Sequence, residues 1–255
     1  MKLRWCRTLL VTFLVLYVNC VLTNIVSLRQ RWYVETFKNG TSMEPLHDTL
    51  FVDWIHGYNI PFQDIITLRD FVDVFTYSWV FMTLIVWFTC SKNPILIARA
   101  LTAQILVIAT FSLSQLLTIV PDSTPNCLEE YNIPSTSDIH WVFWKYPIRA
   151  CGNMLWSSDI AQLVVFTSMA TQMVPNRRGR MKWFIWCLGE CWTFLTMIFI
   201  FTSKYQYSVD VFTTIVIVKL AMSHPWIDRF ATFSFISEGN YYARAPTQEL
   251  PISSI

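Results

Sequence analysis

The chain has 255 residues, of which 54% are hydrophobic and only 14% are charged. A soluble domain carries about 25% charged residues, so this chain lacks the charge needed to cover a water-facing surface. The net charge of +2 argues against nucleic acid as the main partner. The seven cysteines include no C-x-x-C pair and the four histidines are isolated, which is not a zinc pattern. We therefore expect no metal site, and nothing predicts a cofactor.

Six apolar stretches predict an all-α bundle of six transmembrane helices. A bilayer core of about 30 Å requires roughly 20 apolar residues per spanning helix. The stretches are 8–28, 71–90, 94–120, 152–174, 183–202 and 205–222. The last of them is the weakest by hydropathy. The predicted organisation is a cytosolic N-terminus (1–7), a membrane domain (8–223) and a cytosolic tail (224–255).

The first stretch has the basic, apolar and small polar order of a signal peptide. It is long for a signal peptide and has no A-x-A cleavage site, so we predict an uncleaved span.

Basic residues near the ends of the spans predict the orientation. Lys2, Arg4 and Arg7 precede the first span, and four basic residues fill the short segment 175–182. The loop 29–70 also carries basic residues, but the short segment has the higher density of charge. We therefore predict that both termini and segment 175–182 face the cytosol, and that the long loops face the lumen or the cell exterior. This topology predicts a membrane of the secretory pathway.

Two features of the long loops agree with this orientation. Asn39 begins an N-G-T glycosylation sequon, which is usable only on the lumenal side. Cys127 and Cys151 are the only cysteines in the two large non-cytosolic loops, and an oxidising compartment would allow them to pair. Two unpaired thiols are the alternative.

The tail contains two short strings of the kind that bind partner proteins. It ends in S-S-I, which fits a groove that captures a C-terminal carboxylate, and residues 246–249 read P-T-Q-E, a string of adaptor-docking type. A cytosolic adaptor is therefore a candidate partner, and a plain disordered tail is the alternative.

Ionisable residues inside a span are costly, so each is a candidate for function. The predicted spans contain Asp159, Glu190, Asp210 and Lys219. We expect Asp159 about two turns and Asp210 about one turn from the lumenal ends of their spans. For Glu190 and Lys219 we expect a structural ion pair, or snorkelling of Lys219 to the interface.

The two outer aspartates lie in strings that carry a family resemblance. Residues 151–159 read C-G-N-M-L-W-S-S-D and residues 205–211 read Y-Q-Y-S-V-D-V. They resemble the sphingomyelin synthase family, a branch of the lipid phosphate phosphatase-like superfamily, whose strings read C-G-D-x-x-x-S-G-H and H-Y-T-x-D-V. Residues 44–48 (E-P-L-H-D) and 118–121 (T-I-V-P) are similar to two further family strings in the same order. The arginine that the family carries before that proline is Phe111 here.

The resemblance implies a lipid site and a two-step displacement at phosphorus. In the family, one histidine attacks the lipid phosphodiester, and a second histidine, oriented by an aspartate, deprotonates the acceptor. The corresponding positions here are Asp159, Gln206 and Asp210, so only the orienting carboxylate is retained. The implied ligand is a membrane phospholipid or sphingolipid. The residues beside the triad positions that are candidates for lipid contact are Ser157, Ser158 and Tyr207.

The substitutions argue against the family reaction. A general base needs a pKa near the working pH, and Gln206 has no titratable proton. A carboxylate can attack phosphorus, as in aspartyl-phosphate enzymes, but Asp159 would repel an anionic phosphodiester. Among the histidines, His140 is the only candidate to replace the lost base.

Three hypotheses follow from these observations. The first is a catalytically silent relative that keeps a lumen-facing lipid pocket. The second is an active lipid phosphotransferase, moving phosphocholine or a related head group to ceramide through altered residues such as Asp159. The third is a membrane scaffold or signalling protein that acts through its tail. The first is the preferred hypothesis.

Overall fold

The computed structural model describes residues 2–3, 5–37, 62–91, 93–117, 134, 139–144, 157–174, 178–202 and 208–237. The helices are α1 (Trp5–Phe37), α2 (Phe62–Val86), α3 (Pro94–Leu117), α4 (Ile139–Trp144), α5 (Ser158–Met173), α6 (Gly179–Thr202), α7 (Ser208–Ser223) and α8 (Pro225–Phe235). A π-helical turn, Trp87–Ser91, continues α2. Two strands of two residues, β1 (Lys2–Leu3) and β2 (Ile236–Ser237), pair antiparallel. The predicted all-α class is confirmed.

Four helical segments in the described part of the chain are long and apolar enough to cross a membrane, so the chain is an integral membrane protein. They are Cys6–Thr36, Asp70–Thr89, Pro94–Leu113 and Gly179–Thr202. The helices at the other two predicted spans, α5 and α7, have 16 residues each. A helix of that length measures about 24 Å, which is shorter than the hydrocarbon core. Length and composition therefore identify four of the six predicted spans.

The short helix α5 lies at the centre of the bundle. It packs against α2, α3, α6 and α7, and nine of its 16 residues are buried. Ile160, Leu163 and Val165 are among the fully buried side chains. Because other helices surround α5, polar groups on it can avoid lipid.

Contacts along the outer helices fix their relative directions. Near the start of α1, Val11 packs against a cluster that includes Ala98 of α3. Farther along both helices, Ser112 donates a hydrogen bond to Asn19 Oδ1 at 3.0 Å. Contacts that advance together along the two helices show that α1 and α3 run parallel.

Aromatic side chains of α2 contact aromatic side chains of α6, and these two helices run in opposite directions. Phe71 contacts Phe199, whereas Trp79 contacts Trp192, so the two helices run antiparallel. Between these contacts, Trp192 stacks on Phe75 with ring centroids 4.1 Å apart and donates its indole N–H to the Phe75 carbonyl oxygen at 3.0 Å.

Local sequence explains why α3 begins where the hydropathy predicted. Asn93 is followed by Pro94, whose missing N–H and fixed φ suit the first position of a helix. The Asn93 side chain accepts a hydrogen bond from the Ile95 N–H at 3.1 Å, as an N-cap residue does. Its carbonyl oxygen accepts from the Trp87 indole at 2.7 Å, which ties the π-helical turn to the start of α3.

The first part of the predicted tail is helical and packs on the bundle. α8 lies against α3, and its Ala231 is fully buried beside Ala98. His224 begins this helix by accepting the Trp226 N–H at 3.1 Å through Nδ1. The prediction of a tail from residue 224 did not anticipate this helix, because its 11 residues are too few to be detected as a membrane span.

Candidate functional site

The starts of α5 and α7 meet through a buried hydrogen-bonded threonine. The backbone N–H of Ser157 donates to Thr214 Oγ1 at 2.8 Å. The same hydroxyl donates to the Asp210 carbonyl oxygen at 2.6 Å, and Thr214 is 0% exposed. One side chain therefore joins the residue that precedes α5 to the first turn of α7.

Ser157 is the N-cap of α5, and this places Asp159 at the start of its helix. Its side chain accepts the Ile160 N–H at 3.3 Å, and its backbone is extended, so the helix cannot begin earlier at this point. Asp159 consequently lies in the first turn of α5. The predicted span begins at residue 152, whereas the helix that carries Asp159 begins at Ser158. The predicted distance of Asp159 from the lumenal end of its span stays a prediction. Apolar composition alone extended the predicted span past a capping serine.

Asp159 and Asp210 occupy equivalent places on their two helices. Each lies in the first turn, Asp159 of α5 and Asp210 of α7. They are 3% and 2% exposed, respectively. The unsatisfied N–H groups and the dipole of a helix start favour a negative charge. The arrangement therefore places two carboxyl groups in the interior, each at the start of its helix.

The other predicted site residues fall into two groups. Ser157 is buried as the cap, and Ser158 is exposed. The remaining predicted residues lie outside the described part of the chain; they are Gln206, Tyr207, Asn39, Cys127 and Cys151. The tail strings at 246–249 and 253–255 also lie outside it.

The two described histidines lie on other elements. His140 is exposed on α4, and α4 packs on α1, where Asn24 donates its side-chain N–H to the Val142 carbonyl oxygen at 2.8 Å. His224 follows the last residue of α7, whereas Asp210 is in the first turn of that helix. A separation of 14 residues along a helix corresponds to about 21 Å.

Glu190 and Lys219 form the predicted structural ion pair. Lys219 Nζ lies 2.9 Å from Glu190 Oε1 and 3.0 Å from Oε2, joining α6 to α7. The expected pairing is therefore confirmed. Each charge neutralises the other at a depth where a lone charge would be costly.

A second polar connection, at the other ends of α5 and α7, was not predicted. Arg99, near the start of α3, donates from Nη1 to Gln172 Oε1 at 2.9 Å and from Nη2 to the Met222 carbonyl oxygen. Its Nε lies 3.1 Å from Asp228 Oδ1 of α8. Arg99 thereby holds the C-terminal ends of α5 and α7 against α3 and α8. An arginine at the edge of a span together with an acidic residue just after the last span was the available signal.

Chemically, the described part of the site offers two carboxyl groups and the hydroxyls of Ser157 and Thr214. Within the described ranges, no group of three or more histidine, cysteine, aspartate or glutamate side chains could hold a metal ion. A phosphate group approaching the starts of α5 and α7 would meet the carboxylates of those helices.

Comparison with known proteins gives one family match. Residues 150–226, which include α5, α6 and α7, match the family described as PAP2 superfamily C-terminal. This match supports the predicted relation to the lipid phosphate phosphatase-like superfamily and a lipid-related function. A search of curated proteins found no match.

Proposed function

We propose that this chain is a catalytically silent relative of the sphingomyelin synthases, which binds a membrane lipid at the site formed by the starts of α5 and α7. One observation carries the proposal. The residue at the nucleophile position, Asp159, is buried in the first turn of α5, and this turn is joined through Thr214 to the turn that contains Asp210.

Electrostatics explains why such a site would not transfer a phosphoryl group. Helix starts bind phosphate because their N–H groups and dipole attract anions. Here the two helix starts already carry carboxylates of their own. An ionised Asp159 would repel an approaching phosphodiester in an environment that screens charge weakly, and a protonated Asp159 would be a poor nucleophile. The site therefore suits a hydroxyl or amide group of a lipid better than its phosphate.

The position of the family's general base is also substituted. Gln206 has no titratable proton and cannot act as a general base. His224 follows the far end of α7, and His140 is exposed on α4, which packs on α1. His224 therefore lies at the opposite end of α7 from Asp210.

The directions of the helices support six membrane crossings. α2 ends where α3 begins, and α6 runs antiparallel to α2, so α6 begins at the same end of the bundle as α3. The chain must therefore return between α3 and α6, and α5 is the described helix that does so. Its Gln172 reaches Arg99 near the start of α3. α7 returns in the same way after α6, because Met222 also contacts Arg99.

Glycosylation and a disulfide test the proposed orientation. Asn39 should carry a glycan, and segment 175–182 should be protected from protease added outside intact cells. If Cys127 and Cys151 pair, the closed loop of roughly 25 residues contributes about 3 kcal/mol in the chain-entropy model. Reduction should then shift the electrophoretic mobility of the natural chain but not of Cys127→Ala. Cleavage of segment 175–182 by protease added outside the cells would contradict the proposed orientation.

Lipid product analysis tests the silent-enzyme proposal. The purified chain in vesicles receives labelled phosphatidylcholine and a ceramide acceptor, and we expect no labelled product. The double variant Asp159→His/Gln206→His should gain transfer, because each single change leaves either the nucleophile or the base missing. Adding Asp210→Asn to that double variant should abolish the gain.

The same assay separates the alternative functions. Robust transfer by the natural chain that is lost in Asp159→Ala would establish an enzyme that uses a carboxylate nucleophile. Photo-crosslinking with a photoactivatable ceramide tests binding in the absence of turnover. Failure of the natural chain to crosslink would contradict the lipid-binding part of the proposal and leave a scaffold acting through its tail.

A further inference from the structure

α8 has two different faces. Ile227 and Ala231 are 1% and 0% exposed, and Asp228 pairs with Arg99 of α3. These three positions form the face that packs on the bundle. The opposite face consists of Trp226, Arg229, Phe230 and Phe233. Spacings of three, four and seven residues place these four side chains on one side of a helix.

The outer face is aromatic and carries a cation. Phe233 is 72% exposed and Trp226 is 47% exposed. Trp226 stacks on Phe230 with ring centroids 5.0 Å apart, so two of the aromatic rings are already ordered against each other. Arg229 lies between them in sequence and is exposed. Large aromatic rings beside a basic residue are typical of helices that lie in the interface between lipid and water.

The position of α8 in the fold fits such a location. It begins directly after α7 ends and packs on the start of α3, where Asp228 and Ala231 meet the adjacent residues Arg99 and Ala98. β2, which follows α8, pairs with β1, which precedes α1. α8 is therefore held at the end of the bundle where spans begin and end. Two exposed arginines lie at this same end: Arg178 just before α6 and Arg180 in its first turn.

We infer that α8 is an in-plane interfacial helix that binds anionic lipid head groups. The rings of Trp226, Phe230 and Phe233 enter the boundary between head groups and acyl chains. The Arg229 guanidinium binds head-group phosphate or carboxylate, which its planar set of donors suits. This surface is separate from the proposed lipid site, which lies at the opposite ends of α5 and α7. Its test does not depend on that site.

Photo-crosslinking of the full chain tests the inference. The photoreactive residue p-benzoylphenylalanine replaces Phe233, and the protein is reconstituted in vesicles of phosphatidylcholine with or without phosphatidylserine. Irradiation should give lipid adducts by mass spectrometry, with phosphatidylserine enriched over its share of the vesicle. Arg229→Gln should lower that enrichment about fivefold, the effect of one surface cation near an anionic leaflet. Arg229→Lys should keep most of it.

A matched control separates lipid recognition from general exposure. Trp144 is an aromatic residue of α4 and is 82% exposed. When the same photoreactive residue replaces Trp144, the yield of phosphatidylserine adducts should not change with Arg229→Gln. Arg229 is exposed, so its replacement should leave the elution volume of the purified protein unchanged. Adducts between two protein chains, absence of lipid adducts at Phe233, or a yield insensitive to both phosphatidylserine and Arg229 would overturn the inference.

Discussion

At Gly189, α6 lies very close to Thr167 of α5, and Gly189→Ala should destabilise the bundle. A Cβ at this position would lie 2.3 Å from Thr167 Cγ2, 2.5 Å from Thr167 Oγ1 and 2.9 Å from Thr167 Cβ. Thr167 is buried and β-branched, so its rotamers offer little relief. Small residues allow such close approach between membrane helices, where packing supplies much of the stability.

The expected loss follows from two opposing effects. Overpacking costs about 1–3 kcal/mol, and the short distances favour the upper part of that range. Alanine recovers up to about 1 kcal/mol through its higher helix propensity. The free energy of unfolding should therefore fall by about 2 kcal/mol. Equilibrium unfolding in mixed detergent micelles, with denaturing detergent as the variable, measures this change.

Two further variants make the result specific. Gly179→Ala, in the same helix, adds a Cβ with nothing within 4 Å and should leave stability almost unchanged. Thr167→Ala removes the two nearest atoms, so it should recover most of the loss in the double variant with Gly189→Ala. If Gly189→Ala has the same free energy of unfolding as the natural chain, the reasoning is refuted. A loss of stability that Thr167→Ala does not reduce would also refute it.

Three other predictions concern polar contacts between helices. Glu190→Gln and Lys219→Met should each raise the unfolding equilibrium constant at least about tenfold, since each leaves a lone charge in the membrane. The double variant should be more stable than either single one, and a double variant that is the least stable of the three would contradict this. Arg99→Lys should weaken the packing of α8, because an ammonium cannot reproduce the three contacts of the guanidinium. Hydrogen exchange in residues 225–235 should become faster, and unchanged exchange would contradict this prediction. Thr214→Val should cost about 1–3 kcal/mol, because the buried Ser157 N–H loses its acceptor. Thr214→Ser should cost less, and equal losses in the two variants would show that the hydroxyl is not responsible.

Some features of the site followed from residue type and position in the sequence. The ion pair between Glu190 and Lys219 was predicted because two opposite charges at similar depth each need a partner in a membrane. The start of α3 was predicted from hydropathy, and it agrees with the structure because Asn93 and Pro94 act locally on the backbone. Asp159 and Asp210 were selected because ionisable side chains in apolar stretches are rare.

Other features of the structure could not be predicted from the sequence in this way. Thr214 looks like any other residue in an apolar helix, and its contact with Ser157 joins residues that are 57 positions apart. Arg99 is one charge near a span end in the sequence, and its three partners lie on three different helices. α8 was assigned to a polar tail, since average hydropathy does not register a helix with one apolar face.

The sequence by itself determined that this is an α-helical membrane protein and where most of its apolar helices lie, because the bilayer imposes a length and composition that a hydropathy window detects. It did not determine that α5 is the central helix, that α5 begins at Ser158, or that Thr214 joins the two aspartate-bearing turns. In a membrane, side chains that face lipid and side chains that face protein are both apolar. Their periodicity therefore does not identify the buried face, and only the packed tertiary structure decides which helices meet.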